Sequence, residues 1–560
     1  MPSINFKGKN AVWNHHLSVP YQTLEKDKKL SVKGKNEDEN LIIEADNLIA
    51  LKSLLPKYQG QIKCIYIDPP YNTGNENWVY NDKISSPLIK DWINKIVGAD
   101  DLTRHDKWLC MMTPRLKGLQ ELLSNEGIIL ISIDQNEISN LKSLMDEIFS
   151  DNFLGLISVV NNWKGRSDDE YVATCNEYLL VYAKDKSCFE MGGFPLSSEK
   201  LEEYDQEDQY GKYKEVGFRK TGKGWRRIDR PDMFYPVYYN EKMKTISLQR
   251  MTNSIEILPL TKDKLEGRWR WGKDTFLKQY QKDIIIRPVR GGEYRIFTKM
   301  RLKHENGESR TLLPKSTWID PKYDTAKGAQ TLKEIFQTKE DLFDNPKPID
   351  FIKDIIMVAT EKDSIILDSF AGSGTTAHSV LALNKEDGGN RKFILVQLPE
   401  RIEENNPAHK AGFKYVHEIT RERVKRVIDK DKLDVGFSYM KLGPQIDADS
   451  MLSGKLPSYK EFAKYVYYLA TGKTMNNEKL INEKDFFVGK INGESVYLIY
   501  EKDKDKLKGL AITLDWAQKI CKKDKGKKII YAPACFLDEE YLEKFNIHFV
   551  GIPYSLFEKK

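Results

Sequence analysis

The sequence predicts an α/β protein built on an open, mostly parallel sheet, and three observations carry that expectation. Short apolar runs alternate with longer stretches of helical period between 41 and 149, the sign of strands and helices in alternation. The same alternation returns from 363 after a region that lacks it. Two of the apolar runs lead straight into turns of special backbone chemistry, one rich in proline and one in glycine, at the strand edge where open α/β sheets gather their ligands.

Ile62 to Ile67 reads as a buried strand. Leu109, Met112, Leu116, Leu119 and Leu123 then recur three or four apart and mark one face of a helix. Gly127 interrupts this pattern before a second strand, Ile128 to Ile133. From about 185 to 330 the apolar period fades among charges, aromatics and glycines, which suggests an inserted domain. Ser364 to Leu367 is a short strand, AHSVLALN opens a helix, and KFILVQL gives another strand, so the core sheet draws on two separated stretches of chain. Beyond about 430, the runs VYLIYE, KKIIYA and IHFVGI suggest a small α/β unit. The expected domains are an arm over 1–40, two halves of one fold over 41–184 and 331–430, the insertion over 185–330 and a C-terminal domain over 431–560.

At 560 residues the chain exceeds one ordinary hydrophobic core. Its 40% hydrophobic and 31% charged composition excludes a disordered or membrane class, and without an apolar run long enough for a spanning helix or a secretory leader the expected location is cytoplasmic, near the nucleoid. Six cysteines without CxxC spacing predict neither a zinc site nor a disulfide framework, and no metal is expected. A net charge of +6 is too small to imply a nucleic-acid partner by itself.

The string IYIDPPYNTG places Asp68, Pro69, Pro70 and Tyr71 directly after a strand. Two prolines stiffen the backbone and leave carbonyls that only accept. The Asp68 carboxylate and the Pro69 carbonyl would each accept one hydrogen of a nucleobase's exocyclic amine, turning its lone pair toward an electrophilic carbon by positioning and electrostatics. Tyr71 offers a face for a base extruded from the duplex, returning roughly 1–3 kcal/mol of the few spent on extrusion. A plain proline turn with Asp68 as a cap accounts for the same four residues.

The second turn, DSFAGSGTTAHSV, begins at Asp368 and opens a helix, so Gly372 and Gly374 would let backbone approach a cofactor closely. GSGTTA also fits the loose dinucleotide pattern. Phe370 before the first glycine, the Thr375–Thr376 pair after the second, and DPPY elsewhere favour S-adenosylmethionine, and the absence of GK[ST] excludes a Walker loop.

With the tetrad first and the glycine turn 302 residues later (370 − 68), the sequence resembles the β-class amino-methyltransferases of DNA, and within them the Mod subunits of Type III restriction-modification systems. The likeness rests on residues 65–82, 107–137, 345–356 and 368–400. It implies a Rossmann-like S-adenosylmethionine-dependent methyltransferase fold in circularly permuted order, with a target-recognition domain between the halves and adenine N6 in double-stranded DNA as the target. Asp68 to Tyr71 would form the catalytic pocket. Phe370, Ala371, Gly372, Ser373 and Gly374 would cradle the methionine part of the cofactor, with Asp368 and Thr375 also in its site, Asp46 would approach its adenine, and Lys347 with Pro348 would line its access. Many relatives carry an acid at the end of the second cofactor strand for the ribose. This chain has Gln397 there and Glu400 three residues on, and either would serve.

Two basic and aromatic clusters fall in the insertion, KYKEVGFRKTGKGWRRIDRP and RWRWGKDTF. Arg219, Lys220, Trp225, Arg226, Arg227, Arg268 and Arg270 are the expected DNA contacts, some to phosphates and some to guanine edges. The resemblance also implies a homodimer and a nuclease or helicase restriction subunit as partner. The rival readings are a catalytically silent recognition subunit, and the same chemistry on cytosine N4 or on RNA.

Overall fold

A computed structural model describes the chain from 3 to 552, apart from 74–102 and the positions 168, 290–291, 448–449, 451–452, 455, 476 and 492. The stretch 65–82 is therefore described only as far as Thr73. Contacts divide the chain into one unit comprising Met1–Gly192 with Pro314–Lys560 and another comprising Gly193–Leu313. Among the described residues no helix is long and apolar enough to cross a membrane.

The first unit is built on ten strands, β1 (Gln22–Lys26), β2 (Leu41–Glu44), β3 (Ile62–Ile67), β4 (Leu123–Ile133), β5 (Phe153–Val160), β6 (Asn176–Ala183), β7 (Thr317–Trp318), β8 (Ile365–Asp368), β9 (Lys392–Gln397) and β10 (Ser438–Gln445). Their spatial order is β1-β10-β2-β9-β8-β3-β4-β6-β5-β7. The six from β10 to β4 are mutually parallel, while β6 runs antiparallel between β4 and β5. Ile366 and Leu367 of β8 stand opposite Cys64 and Ile65 of β3. From this pair the chain moves one way to β9 and the other way to β4, so the adjacent ends of β3 and β8 form a topological switch point.

The sheet faces alternate as strand geometry requires. Ile65, Ile67, Ile129, Ile131, Leu367 and Val396 join one core with α1 (Asn47–Tyr58), α2 (Arg104–Leu122) and α3 (Ile138–Phe149). Tyr66 faces the other side and meets Phe351 edge-on at 6.3 Å, on a helix that packs beside the one following the glycine turn. With α4 for Thr325–Phe336, these are α5 (Ile349–Ala359) and α6 (Thr375–Asp387), followed by α7 (Val416–Asp431). The predicted face of α2 is buried throughout, from Leu109 through Leu119.

Three domain boundaries move. Residues 1–40 are more than an arm, because Phe6 and Val12 enter the core and β1 pairs with β10. The inserted unit is Gly193–Leu313 rather than 185–330, since Thr317–Trp318 completes the central sheet beside β5. The expected C-terminal domain over 431–560 falls in the same unit as the central sheet, whose strand β10 lies past 430 and extends the parallel core next to β2. Short edge strands and segments without a full apolar period leave little trace in sequence.

Gly193–Leu313 holds a four-stranded and a three-stranded sheet around Phe218, Tyr235, Trp269 and Phe276. Its ends pair antiparallel, Phe194 with Leu312 and Pro195 with Thr311. After the central sheet, Phe487–Ile491, Glu494–Leu498, Lys528–Ala532 and Ile547–Gly551 form a further sheet, packed by the helix Tyr459–Thr471.

Candidate active site

The tetrad leaves β3 at the switch point with its backbone held on both sides. Trp108 of α2 donates its indole N–H to the Pro70 carbonyl at 2.7 Å. Asn72 follows at φ 61° and donates to the buried Glu137 carboxylate. A left-handed residue there turns the chain sharply, and asparagine tolerates that region better than most side chains. Among the described residues nothing donates to the Pro69 carbonyl, leaving it open as an acceptor.

Four side chains meet at the mouth of this turn. Tyr71 donates its hydroxyl proton to Asp68 Oδ1 at 2.8 Å. Lys347 reaches in from the segment before α5, with Nζ 3.3 Å from Asp68 Oδ1 and 2.7 Å from the Tyr71 hydroxyl. The same ammonium lies 2.7 and 2.6 Å from the two oxygens of Glu177, near the start of β6. Glu177 is buried and also accepts from Asn161 at 2.9 Å. Asn161 in turn lines a polar cavity of about 520 Å³ with Asn162, Arg166 and Asn176.

Burial raises the Asp68 carboxyl above the usual carboxylate range; the Lys347 ammonium opposes that rise and the like charge of Glu177 adds to it. Burial alone would depress Lys347, but Asp68 and Glu177 together outweigh it and hold the ammonium above the ordinary lysine range.

The glycine turn sits at the end of the neighbouring strand. Gly372 (φ 52°) and Gly374 (φ 82°) occupy the left-handed region, where any other L residue is strained. A Cβ on Gly374 would lie 3.1 Å from the Thr420 carbonyl, and one on Gly372 would lie 3.1 Å from the Phe343 ring. Gln397 accepts from the Gly372 N–H at 2.7 Å, and the Thr420 hydroxyl donates to the Gly372 carbonyl at 2.6 Å. Asp368, buried beneath, accepts from the Phe370 N–H at 3.0 Å and from Thr376. Burial pushes its carboxyl up to about 7. The Ala371 N–H donates to Val396 of β9 at 3.1 Å.

Arg423 of α7 is fully buried and donates to the hydroxyls of Ser373 and Thr375, both at 2.7 Å. A hydroxyl that accepts from a guanidinium has its own proton free to give elsewhere. Thr375 gives its proton to the Lys347 carbonyl at 3.3 Å. One residue, Lys347, thus touches the acid centre with its ammonium and the glycine turn with its backbone.

The remaining expected cofactor residues gather at the same sheet edge. Pro348 is the N-cap of α5. Asp46 caps α1, accepting from the Leu48 N–H at 2.9 Å, and pairs with the buried Arg115 at 3.1 Å. Gln397 has its amide oxygen on Gly372 and its nitrogen on Leu398. Glu400 is half-buried, its carboxyl raised by burial, and among the described residues nothing donates to its side chain.

In the inserted unit the two basic clusters come together. Arg219 bridges to Trp269 and Arg226 to Gly267, while the Lys220 N–H donates to the Arg268 carbonyl. Much of the expected basic face is engaged internally. Arg227 pairs with Glu266 at 3.0 Å, Arg268 donates to the Gly224 carbonyl and Arg270 to that of Gly217. Trp225 is half-buried against the exposed Arg226, whose guanidinium lies 5.8 Å from its ring. Phe218 belongs to the aromatic core.

Sequence reading missed Trp108, Glu137, Glu177 and Arg423. Trp108 lies four residues from the Met112 that marks a buried helix face, and packing alone explained it. Glu177 stands just before the apolar run YLLVYA, and an acid abutting a fully buried strand was the one signal available.

Residues 62–406 match the family model for DNA methylases. The EcoPI Mod subunit, a Type III restriction-modification enzyme of Escherichia phage P1, is 34% identical across 76% of this chain and 68% of its own length. The Type II methyltransferase M.KpnI of Klebsiella pneumoniae is 35% identical across 69% of this chain and 86% of its own. The EcoP15I Mod subunit of Escherichia coli is 30% identical across 80% of this chain and 72% of its own. A match over that span, which includes the two strand ends that form this site, makes the chain a member of the DNA methylase family.

Proposed function

We propose that this chain transfers a methyl group from S-adenosylmethionine to the N6 amine of an adenine turned out of double-stranded DNA. The observation that carries the proposal is the meeting of Asp68 and the glycine turn at the β3–β8 switch point, joined through Lys347. The cradle suits the cofactor. Two left-handed glycines packed tightly on Thr420 and Phe343, the Ser373 hydroxyl, and the carboxyl of Glu400, to which nothing donates among the described residues, suit an amino-acid moiety and a ribose diol. Because Gln397 already holds the Gly372 N–H, Glu400 is the ribose ligand and Gln397 shapes the turn.

S-adenosylmethionine bound there supplies an electrophilic methyl. Asp68 and the Pro69 carbonyl accept the two amine hydrogens and aim the nitrogen lone pair, and Asp68 receives the proton released on transfer. Asp68 and Lys347 fix the Tyr71 hydroxyl, and its ring is the aromatic surface on which the base stacks. The exposed basic side chains of Gly193–Leu313, Lys223 and Arg226 among them, are the duplex-binding surface. In keeping with relatives named as Mod subunits of Type III restriction-modification enzymes, the chain works as a modification subunit beside a restriction subunit; a cytoplasmic homodimer with a nuclease or helicase partner is the further expectation of the family resemblance.

Incubation with labelled S-adenosylmethionine and mixed-sequence duplex DNA, followed by nucleoside analysis, tests the reaction. N6-methyladenine is the expected product; N4-methylcytosine alone, or no incorporation, overturns the proposal. Asp68→Ala should lower transfer at least a hundredfold while cofactor and DNA binding stay within a few-fold of the parent. Substantial residual transfer would remove Asp68 from the reaction.

A further inference from the structure

Glu177 belongs to neither of the strings that mark the site, yet it is the most enclosed member of the side-chain cluster around Asp68. Its side chain is 5% exposed against 28% for Asp68 and 13% for Lys347. It holds the Lys347 ammonium with both oxygens, at 2.6 and 2.7 Å, while Asp68 lies farther off at 3.3 Å. Its Oε2 lies 3.2 Å from the Tyr71 hydroxyl and accepts from the Asn161 amide at 2.9 Å. Burying a carboxylate at this depth is costly unless a cation and further donors meet it, and here they do.

Asp68 faces conflicting requirements in the reaction proposed above. It must be ionised to accept an amine hydrogen, which calls for a cation nearby, because burial favours its neutral form. It must also keep an oxygen free, which a cation seated directly upon it would deny. We infer that Glu177 is a positioning residue that berths the Lys347 ammonium, so that Lys347 keeps Asp68 charged without occupying it. The inference rests on the reading of Asp68 as the amine acceptor. With Glu177 in place, the three charged groups sum to one negative charge, suited to a methyl donor that carries a positive charge and to an amine that becomes cationic as the methyl arrives. Without it, the ammonium has Asp68 as its remaining close acid, and the pair closes.

Steady-state methylation by the full chain, followed from pH 5 to pH 9, tests the assignment. Glu177→Gln keeps the shape and removes the charge. Its kcat should fall roughly ten- to hundredfold, KM for DNA and for S-adenosylmethionine should change little, and the acid limb of the kcat profile should move to lower pH. The sign follows because a like charge has left Asp68 and an opposite charge has drawn nearer, both of which favour its ionised form. Lys347→Met should move the same limb to higher pH. Glu177→Asp keeps the charge and should leave the limb near its parental position, which also serves if the glutamine variant folds poorly. A parental kcat in Glu177→Gln, or a lowered kcat with an unmoved limb, overturns the inference and makes Glu177 a packing residue. Asp68→Asn, measured alongside, separates the levels: if it is inactive while Glu177→Gln is normal, only the role of Glu177 fails, whereas an active Asp68→Asn shows that no ionised group is needed at 68 and removes the premise on which that role depends.

Discussion

Asp368 sits under the glycine turn, 3% exposed, with its carboxyl raised to about 7 by burial, against roughly 4 in an unfolded chain. A raised folded-state value means that the folded protein prefers the protonated form. The associated stability is fully present below about pH 4 and is lost as pH rises through about 7. Over that window the parent should lose up to roughly 4 kcal/mol relative to Asp368→Asn, which does not titrate. Thermal midpoints of the two proteins across the window measure this, and parallel curves would show that the Thr376 and Phe370 hydrogen bonds keep the carboxylate ionised throughout. At this scale legibility depended on chain distance. Asp68, Tyr71, Gly372 and Gly374 stand in short strings whose chemistry is local. Glu177 and Arg423 reach their partners across 170 and 50 residues, and nothing beside them in sequence announces the contact.

Among the elements, α4 and the segment before α5 are packed with no room to spare. A Cβ on Gly328 of α4 would fall 1.8 Å from the Pro346 carbonyl, so glycine is required there by close approach rather than by backbone angle. Gly328→Ala should push Pro346 outward and carry Lys347 with it, costing about 1–3 kcal/mol in stability and about tenfold in kcat from misplacement of the ammonium. Paired measurements of thermal midpoint and kcat check this; an intact kcat would mean that the segment shifts without moving Nζ. Elements with a sustained period were plain in the sequence, β3, β4 and α2 above all, because burial on one face imposes a repeat on the residues. β1, β5 and β7 were not. Each takes its place from pairing with β10, β6 or β5, and main-chain hydrogen bonds leave little mark on side-chain choice.

For the whole molecule, the unit Gly193–Leu313 begins and ends on paired strands, Phe194 opposite Leu312, so its two ends lie one strand spacing apart. It has its own aromatic core. Replacing it with a short glycine-serine linker should leave the ten-stranded sheet folded and binding S-adenosylmethionine, while binding to duplex DNA falls at least tenfold. Calorimetry with the cofactor and fluorescence anisotropy with DNA provide the comparison, and unchanged DNA affinity would place recognition outside the unit. Taken alone, the sequence determined the α/β class, the order of proline turn before glycine turn, and the residues proposed for the chemistry of each, since strand periods and rigid or glycine-rich turns depend on near neighbours. Only the tertiary structure decided that β3 and β8, about 300 residues apart, lie side by side, that Lys347 spans the two turns, and that Glu177 holds it there. Those facts depend on which strands exchange hydrogen bonds across the sheet and on how buried charges find partners, and neither is encoded within any one stretch of chain.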